Sequence, residues 1–210
     1  MTELSVVPVH RASGEGNAVA LTFDDGPNGR DTAELLDFLA AHRLPAVFCV
    51  IGDNIRAPGG AELLRRIVAD GHVLANHSTS FADLGEADAA SVRADLLATN
   101  AIIREALGDP DASVPFFRAP NGSWGVTAEV AVELGMQPLA VVNTIGDWEE
   151  QDAAILTERL RAAVRPGELV LVHDGGGDRA GSVAAVTRVV TELLAEGWRF
   201  TLPRGAEQAD

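Results

Sequence analysis

Leu21-Thr22-Phe23-Asp24-Asp25-Gly26-Pro27 is the stretch on which the reading of this chain turns. An apolar run ends in two adjacent carboxylates and then a Gly-Pro turn. Neighbouring side chains on a strand point to opposite faces, so the two acids cannot both belong to the core. At a strand end they can diverge into a site. Asp-Gly and Gly-Pro are also ordinary turn punctuation, so the surrounding sequence has to decide between a turn and a site.

Working outward, short apolar β-type runs alternate with helical patterns from end to end. Strands are expected over 19–23, 46–51, 73–75, 116–118, 139–142, 169–173 and 198–202. Helices are expected over 31–42, around Leu63 to Val68, and over 87–107, 127–134, 155–164 and 183–195. The longest carries Val92, Leu96, Ile102, Ile103 and Leu107 as an apolar stripe at near-helical spacing. Strict alternation of this kind argues for a parallel sheet, open or closed into a barrel. Asp24-Asp25, His77, Arg118, Asp147 and His173 each fall at or just after a strand's C-terminal end. In a closed βα barrel all such ends meet on one face, where active sites sit. Turn chemistry does not explain five polar groups distributed this way.

Composition narrows the chemistry. The 210 residues suit one large domain. The formal charge of −15 argues against nucleic acid or an anionic membrane as a partner, and no apolar run is long enough to cross a bilayer. All 16 basic residues are Arg, and Lys and Tyr are absent, which excludes Schiff-base catalysis, a Lys nucleophile and a Tyr acid. Cys49 is the only cysteine, so there is no intrachain disulfide and no Cys-rich metal site. It lies in the run 46–51 and reads as a small buried thiol. Residues 1–8 show neither the basic start nor the apolar stretch of a secretion signal. Two expectations follow, a cytoplasmic protein or one whose leader has been removed.

Four further motifs carry candidate chemistry. In Gly71-His72-Val73-Leu74-Ala75-Asn76-His77-Ser78, His72 begins a strand and reads as a hydrogen-bonded structural residue. His77 ends that strand among small polar residues and reads as functional. Arg118-Ala119-Pro120-Asn121-Gly122-Ser123-Trp124 sets a fixed cation above a loop whose free N–H groups suit an oxyanion. Trp124 suits either a sugar-stacking role or a buried anchor. Asp147-Trp148 is weak by itself. His173, at the mouth of a buried strand before Asp174-Gly175-Gly176-Gly177, is a general acid candidate.

At this point the chain resembles the polysaccharide deacetylases of carbohydrate esterase family 4. Residues 22–27, 76–78, 118–122, 147–148 and 171–174 match that family's five motifs in order, over nearly the whole chain. The resemblance implies a single-domain distorted (β/α) barrel of about seven parallel strands. The domain would span 18–203, with an N-terminal extension over 1–17 and a loose tail over 204–210. It also implies metal-assisted removal of N-acetyl groups from N-acetylglucosamine-containing oligomers such as chitin fragments or peptidoglycan glycan. An acetylxylan esterase would use the same machinery. Carried over by position, Asp24 would be the general base and Arg118 would hold it ionised. Asp25 and His77 would be metal ligands, His173 the general acid, and Asp147 the group that orients and charges it. Asn121 would offer a backbone donor to the oxyanion, Leu171 would line the acetyl pocket, and Trp124 and Trp148 would touch the sugar. The implied cofactor is one divalent ion, zinc first, with cobalt, manganese or nickel as substitutes. The implied partner is an acetylated carbohydrate met by a monomer.

One position departs from the pattern. The family's second motif carries another His or an Asp four residues after the first, and here that residue is Phe81. A catalytic zinc site ordinarily keeps three protein ligands. Three arrangements are open: Asp83 swings in as the third ligand, waters complete the shell, or the site is dead and the protein only binds sugar. Residues six apart do not share a helix face, so Asp83 can reach the ion only if 78–83 runs as a loop. With Asp83 as ligand, two carboxylates and one imidazole would favour manganese or cobalt relative to a two-His site.

Overall fold

The computed structural model describes residues 4–206. In chain order the elements begin β1 (Ala18–Gly26), α1 (Gly29–His42), β2 (Val47–Val50), α2 (Gly52–Arg56), α3 (Gly60–Ala69), β3 (Val73–Asn76) and α4 (Ala89–Leu107). They continue with β4 (Phe116–Phe117), α5 (Thr127–Glu133), β5 (Gln137–Pro138), α6 (Ala153–Ala163), β6 (Glu168–His173), α7 (Ala180–Ala195) and β7 (Arg199–Thr201). A 3-10 turn, Pro120–Gly122, follows β4. Local chemistry sets several ends. Asp88 caps α4 by accepting the Ser91 N–H at 2.7 Å, and Asp152 caps α6 through the Ala154 and Ile155 N–H groups. Each satisfies donors that a helix start leaves free.

β1 is the hub of a parallel sheet ordered β5-β4-β3-β2-β1-β6. It pairs with β6 from Val19 to Asp24. Its other edge is shared, with β7 along Ala18 to Ala20 and β2 from Thr22 onward. A strand flanked on both edges and covered on both faces has to be apolar nearly throughout, which is what Ala18 to Phe23 supplies. The sheet curls. One face turns inward, where Ala20, Val47, Cys49, Ala75, Phe116 and Leu169 pack together. The opposite face, with Val19, Leu21, Phe23, Phe48 and Val50, lies under the helices. The expected distorted parallel barrel is therefore observed as a curled parallel sheet of seven strands ringed by helices.

β5 and β6 do not pair, and irregular chain fills the seam between them. Val9 bridges Leu139, Arg11 bridges Glu168, and Thr144 bridges Leu171. Here the structure corrects two expectations. The apolar run 139–142 is not a strand, because Ala140 gives its N–H to Val9 at 2.9 Å and the chain crosses the seam. β5 falls just before it, at Gln137–Pro138. Of the tail, Arg204 is tied to the Arg11 carbonyl at 3.0 Å, and 207–210 lie outside the described residues. The short helix α2 was not expected. Among the described residues, no helix is long and apolar enough to cross a membrane.

Candidate active site

Asp24 is the last inward-facing residue of β1, opposite Cys49 on one side and His173 on the other. Arg118 follows β4 and sends its side chain into the sheet's interior, where it is fully buried. Its Nη1 reaches Asp24 Oδ1 at 2.5 Å and Thr22 Oγ1 at 2.9 Å, and its Nη2 donates to the Ala140 carbonyl at 3.2 Å. Burial alone would push the Asp24 carboxyl up. Arg118, then His77 and His173, overrule it and hold Asp24 below the ordinary carboxylate range.

Asp25 breaks the regular alternation near the end of β1. Its φ of 71° is left-handed, and the β1–β2 register shifts between Asp24 and Gly26. This kink needs room. A Cβ on Gly26 would lie 2.3 Å from the Asp174 carboxylate, and one on Gly175 would lie 1.9 Å from the Asp25 carbonyl. With the alternation broken, both carboxylates turn to one imidazole: His77 Nε2 lies 3.3 Å from Asp25 Oδ1 and 3.8 Å from Asp24 Oδ2. His77 Nδ1 meets the Arg118 carbonyl at 2.8 Å. A carbonyl only accepts, so that nitrogen carries the hydrogen. Burial pulls the His77 pKa down, but Asp24 and Asp25 carry it above the ordinary value. A buried Nε2 facing two carboxylates calls for a proton or a cation, and an imidazole with a carboxylate is a donor pair that divalent ions accept.

His173 closes β6. Its Nδ1 meets Asp147 Oδ1 at 2.8 Å, and its backbone N–H donates to Asp147 Oδ2 at 2.8 Å. Asp147 is fully buried. Burial lowers the His173 pKa, and Asp147 followed by Asp24 more than reverses it. Two residues that local sequence did not flag support this pair. Ser182 Oγ donates to Asp147 Oδ2 at 2.8 Å, and Gln151 Nε2 donates to the Asp147 carbonyl at 2.7 Å. Neither sits in a recognisable motif, so only contact across the fold reveals them.

Asp24, Asp25, His77 and His173 border one cavity of about 380 Å³, with Arg118 and Asp147 behind them. Asn121, Trp148 and Leu171 line it, together with Phe81, Val141 and Thr144. Asn121 is left-handed at φ 57°, and the Trp148 ring stands edge-on to His173 at 5.5 Å.

Two expected site residues are elsewhere. Trp124 is partly buried and packs edge-on against the core residue Phe117, with ring centroids 6.1 Å apart. Asp83 is exposed, and its carboxylate is occupied by the Gly85 N–H at 2.8 Å and the Ser123 hydroxyl. Among the described residues, no group of three His, Cys, Asp or Glu side chains is placed to hold a metal ion. Asp83 thus locks its own loop to 123–125 and is not brought to Asp25 and His77. His72 is structural but not hydrogen-bonded; it is buried against Phe48 with ring centroids 5.2 Å apart.

Asp174, next to His173, is fully buried, with Thr32 Oγ1 at 2.6 Å from Oδ2 and Oδ1 without a partner. Burial is the main cause that pushes its pKa up from 3.8 to about 7. The folded state then binds the extra proton between those two values, so Asp174 costs stability progressively as pH rises through them. Asp174→Asn is expected to match the native protein at about pH 4 and to exceed it at about pH 8 by on the order of 4 kcal/mol. Urea denaturation at both values checks this. A difference that does not grow with pH would show that Asp174 is not protonated in the fold.

Comparison with known proteins agrees with this geometry. The family model described as polysaccharide deacetylase matches residues 11–139. A chitooligosaccharide deacetylase of Sinorhizobium fredii (strain NBRC 101917 / NGR234) is 37% identical, covering 94% of this chain and 96% of its own. The crystal structure of the Bc1960 peptidoglycan N-acetylglucosamine deacetylase superposes with a TM-score of 0.82 at 28% identity, over 92% of this chain and 89% of that one. A family 4 acetyl xylan esterase from Clostridium thermocellum, solved with a cobalt ion, gives 0.77 at 29% identity, over 88% and 87%. With the family model matched over more than half of the chain and a relative 37% identical along almost its full length, this chain belongs to the polysaccharide deacetylase family.

Proposed function

We propose that this enzyme hydrolyses N-acetyl groups on N-acetylglucosamine-containing oligo- or polysaccharides, chitin fragments or peptidoglycan glycan. The observation that carries the reading is the pairing of two buried units across one cavity, Asp24 with Arg118 and His173 with Asp147. A module that only binds sugar has no use for an ionised buried carboxylate facing a charged imidazole.

Each residue has a step. Asp24 takes the proton of the water whose oxygen attacks the acetyl carbon. Negative charge then builds on the former carbonyl oxygen, and the Asn121 N–H in the 3-10 turn donates to it. As the carbon–nitrogen bond breaks, His173 gives its Nε2 proton to the departing amine, which would otherwise leave as an unstable amide anion. Acetate and a free amino sugar result. Asp147 keeps His173 charged and fixes its Nδ1 as the inner nitrogen. Leu171 borders the acetyl methyl.

Asp25 and His77 would hold a divalent ion, which would supply positive charge against the oxyanion and the attacking water. Asp83, bound to Gly85 and Ser123, would not be among its ligands. Zinc is the ion proposed, and cobalt, manganese and nickel suit the same donors. The chain's charge of −15 suits a neutral glycan better than a polyanion.

The test is acetate release from chitopentaose and from acetylated xylan, each with and without chelator. Release from chitopentaose is expected to be faster, to fall at least tenfold on chelation and to return with zinc or cobalt. Preference for xylan would make the protein an ester hydrolase. Phe81 at the place of a ligand favours one rival, a sugar-binding protein without turnover; chitopentaose binding with no acetate under any ion would establish it.

A further inference from the structure

Phe and Trp account for ten side chains, seven and three respectively. Among the described residues only two of them are exposed, Phe81 at 51% and Trp148 at 50%. Both border the same cavity. Trp148 lies on the His173 side. Phe81 belongs to the loop that leaves β3 after His77, on the side of the Asp25–His77 pair. Apolar residues exposed singly are ordinary, whereas two aromatic rings bordering one cavity are the lining of a ligand site.

The loop holds Phe81 in place. Before it, Thr79 gives its N–H to the Asp95 carboxylate at 3.1 Å. After it, the Ala82 N–H meets Ser80 Oγ at 3.3 Å, and Asp83 ties Gly85 and Ser123 together. Gly85 fits so closely under 123–125 that a Cβ on Gly125 would lie 2.0 Å from its carbonyl. The segment is therefore anchored on both sides of an outward-facing ring.

We propose that Phe81 is a sugar-binding residue, a platform on which the pyranose ring next to the one being deacetylated stacks its C–H face, opposite Trp148. The inference rests on the carbohydrate reading above. It gives the position a role in place of metal ligation. A neutral aromatic suits this role, because the apolar face of a pyranose needs contact area and no charge. The platform also makes the enzyme prefer oligomers, since a single sugar cannot occupy both the reacting position and the ring beside it.

The experiment measures kcat, KM and calorimetric affinity for chitopentaose and for N-acetylglucosamine in the full chain, with Phe81→Ala and Phe81→Trp. Phe81→Ala is expected to weaken chitopentaose binding and raise its KM about tenfold, ~1.4 kcal/mol, with kcat within about twofold. Monosaccharide binding should not change, and Phe81→Trp should restore the oligomer's affinity. Cobalt affinity, titrated without sugar, should be the same in all three proteins. Unchanged chitopentaose affinity in Phe81→Ala, or a loss of cobalt affinity, overturns the proposal. A native protein that binds chitopentaose through Phe81 but releases no acetate refutes the hydrolase and leaves the platform standing.

Discussion

Asp24→Asn is expected to lower kcat by about a thousandfold or more, while the protein still binds cobalt. The substitution keeps the side chain's shape, and its amide oxygen can still accept from Arg118 Nη1, now 2.5 Å from Oδ1. What it removes is the capacity to take a proton. Asp25, which lies closer to His77 Nε2 at 3.3 Å than Asp24 does at 3.8 Å, remains to hold the ion. Acetate release and a metal titration on the same preparation separate the two roles. If Asp24→Asn loses the metal and Asp25→Asn keeps it, the assignments of the two acids are reversed.

Arg118→Met is expected to be the most destabilising single change in the site, by about 3–5 kcal/mol, the usual consequence of removing one partner of a buried ion pair. Arg118 has no exposed surface and Asp24 almost none, so water cannot replace the lost cation. The sign with pH follows from Asp24. In the native protein its pKa is lowered, with Arg118 the chief opponent of burial. Without Arg118, burial lifts the folded-state value above the unfolded one. Asp24 then costs stability that grows as pH rises through that range. The loss is therefore larger at about pH 8 than at about pH 5. Urea denaturation at both values measures it. Adding Asp24→Leu should recover much of the stability and none of the activity, since an apolar pair replaces the unpaired carboxylate. If Arg118→Met alone is as stable as the native chain, the pair is not what holds this end of the sheet.

Much of this was legible along the chain. The apolar runs of β1, β2 and β6 and the stripe of α4 announced alternating strands and helices, because burial patterns repeat within a few residues. Asp24, His77, Arg118 and His173 were legible as a group because strand ends in such a fold share one face, whereas Asp147 follows no strand and meets His173 from the irregular chain of the seam. The failures have a common cause. Trp124 reads identically whether its ring faces sugar or core, and the choice belongs to Phe117. Asp83 reads as a spare carboxylate until Gly85 and Ser123 are seen to occupy it. The run 139–142 looks like a strand, but its backbone partner, Val9, is far away in sequence.

Sequence alone determined the parallel α/β architecture and named the candidate groups, since both depend on residue type and short spacing. Tertiary structure decided how those groups act. It turned Asp25 out of the strand's alternation so that two carboxylates face one imidazole, drove Arg118 into the interior to keep Asp24 charged, and stood Phe81 on the cavity rim. Those outcomes depend on a left-handed φ, a register shift and contacts between distant segments, and local spacing carries no record of distances through space.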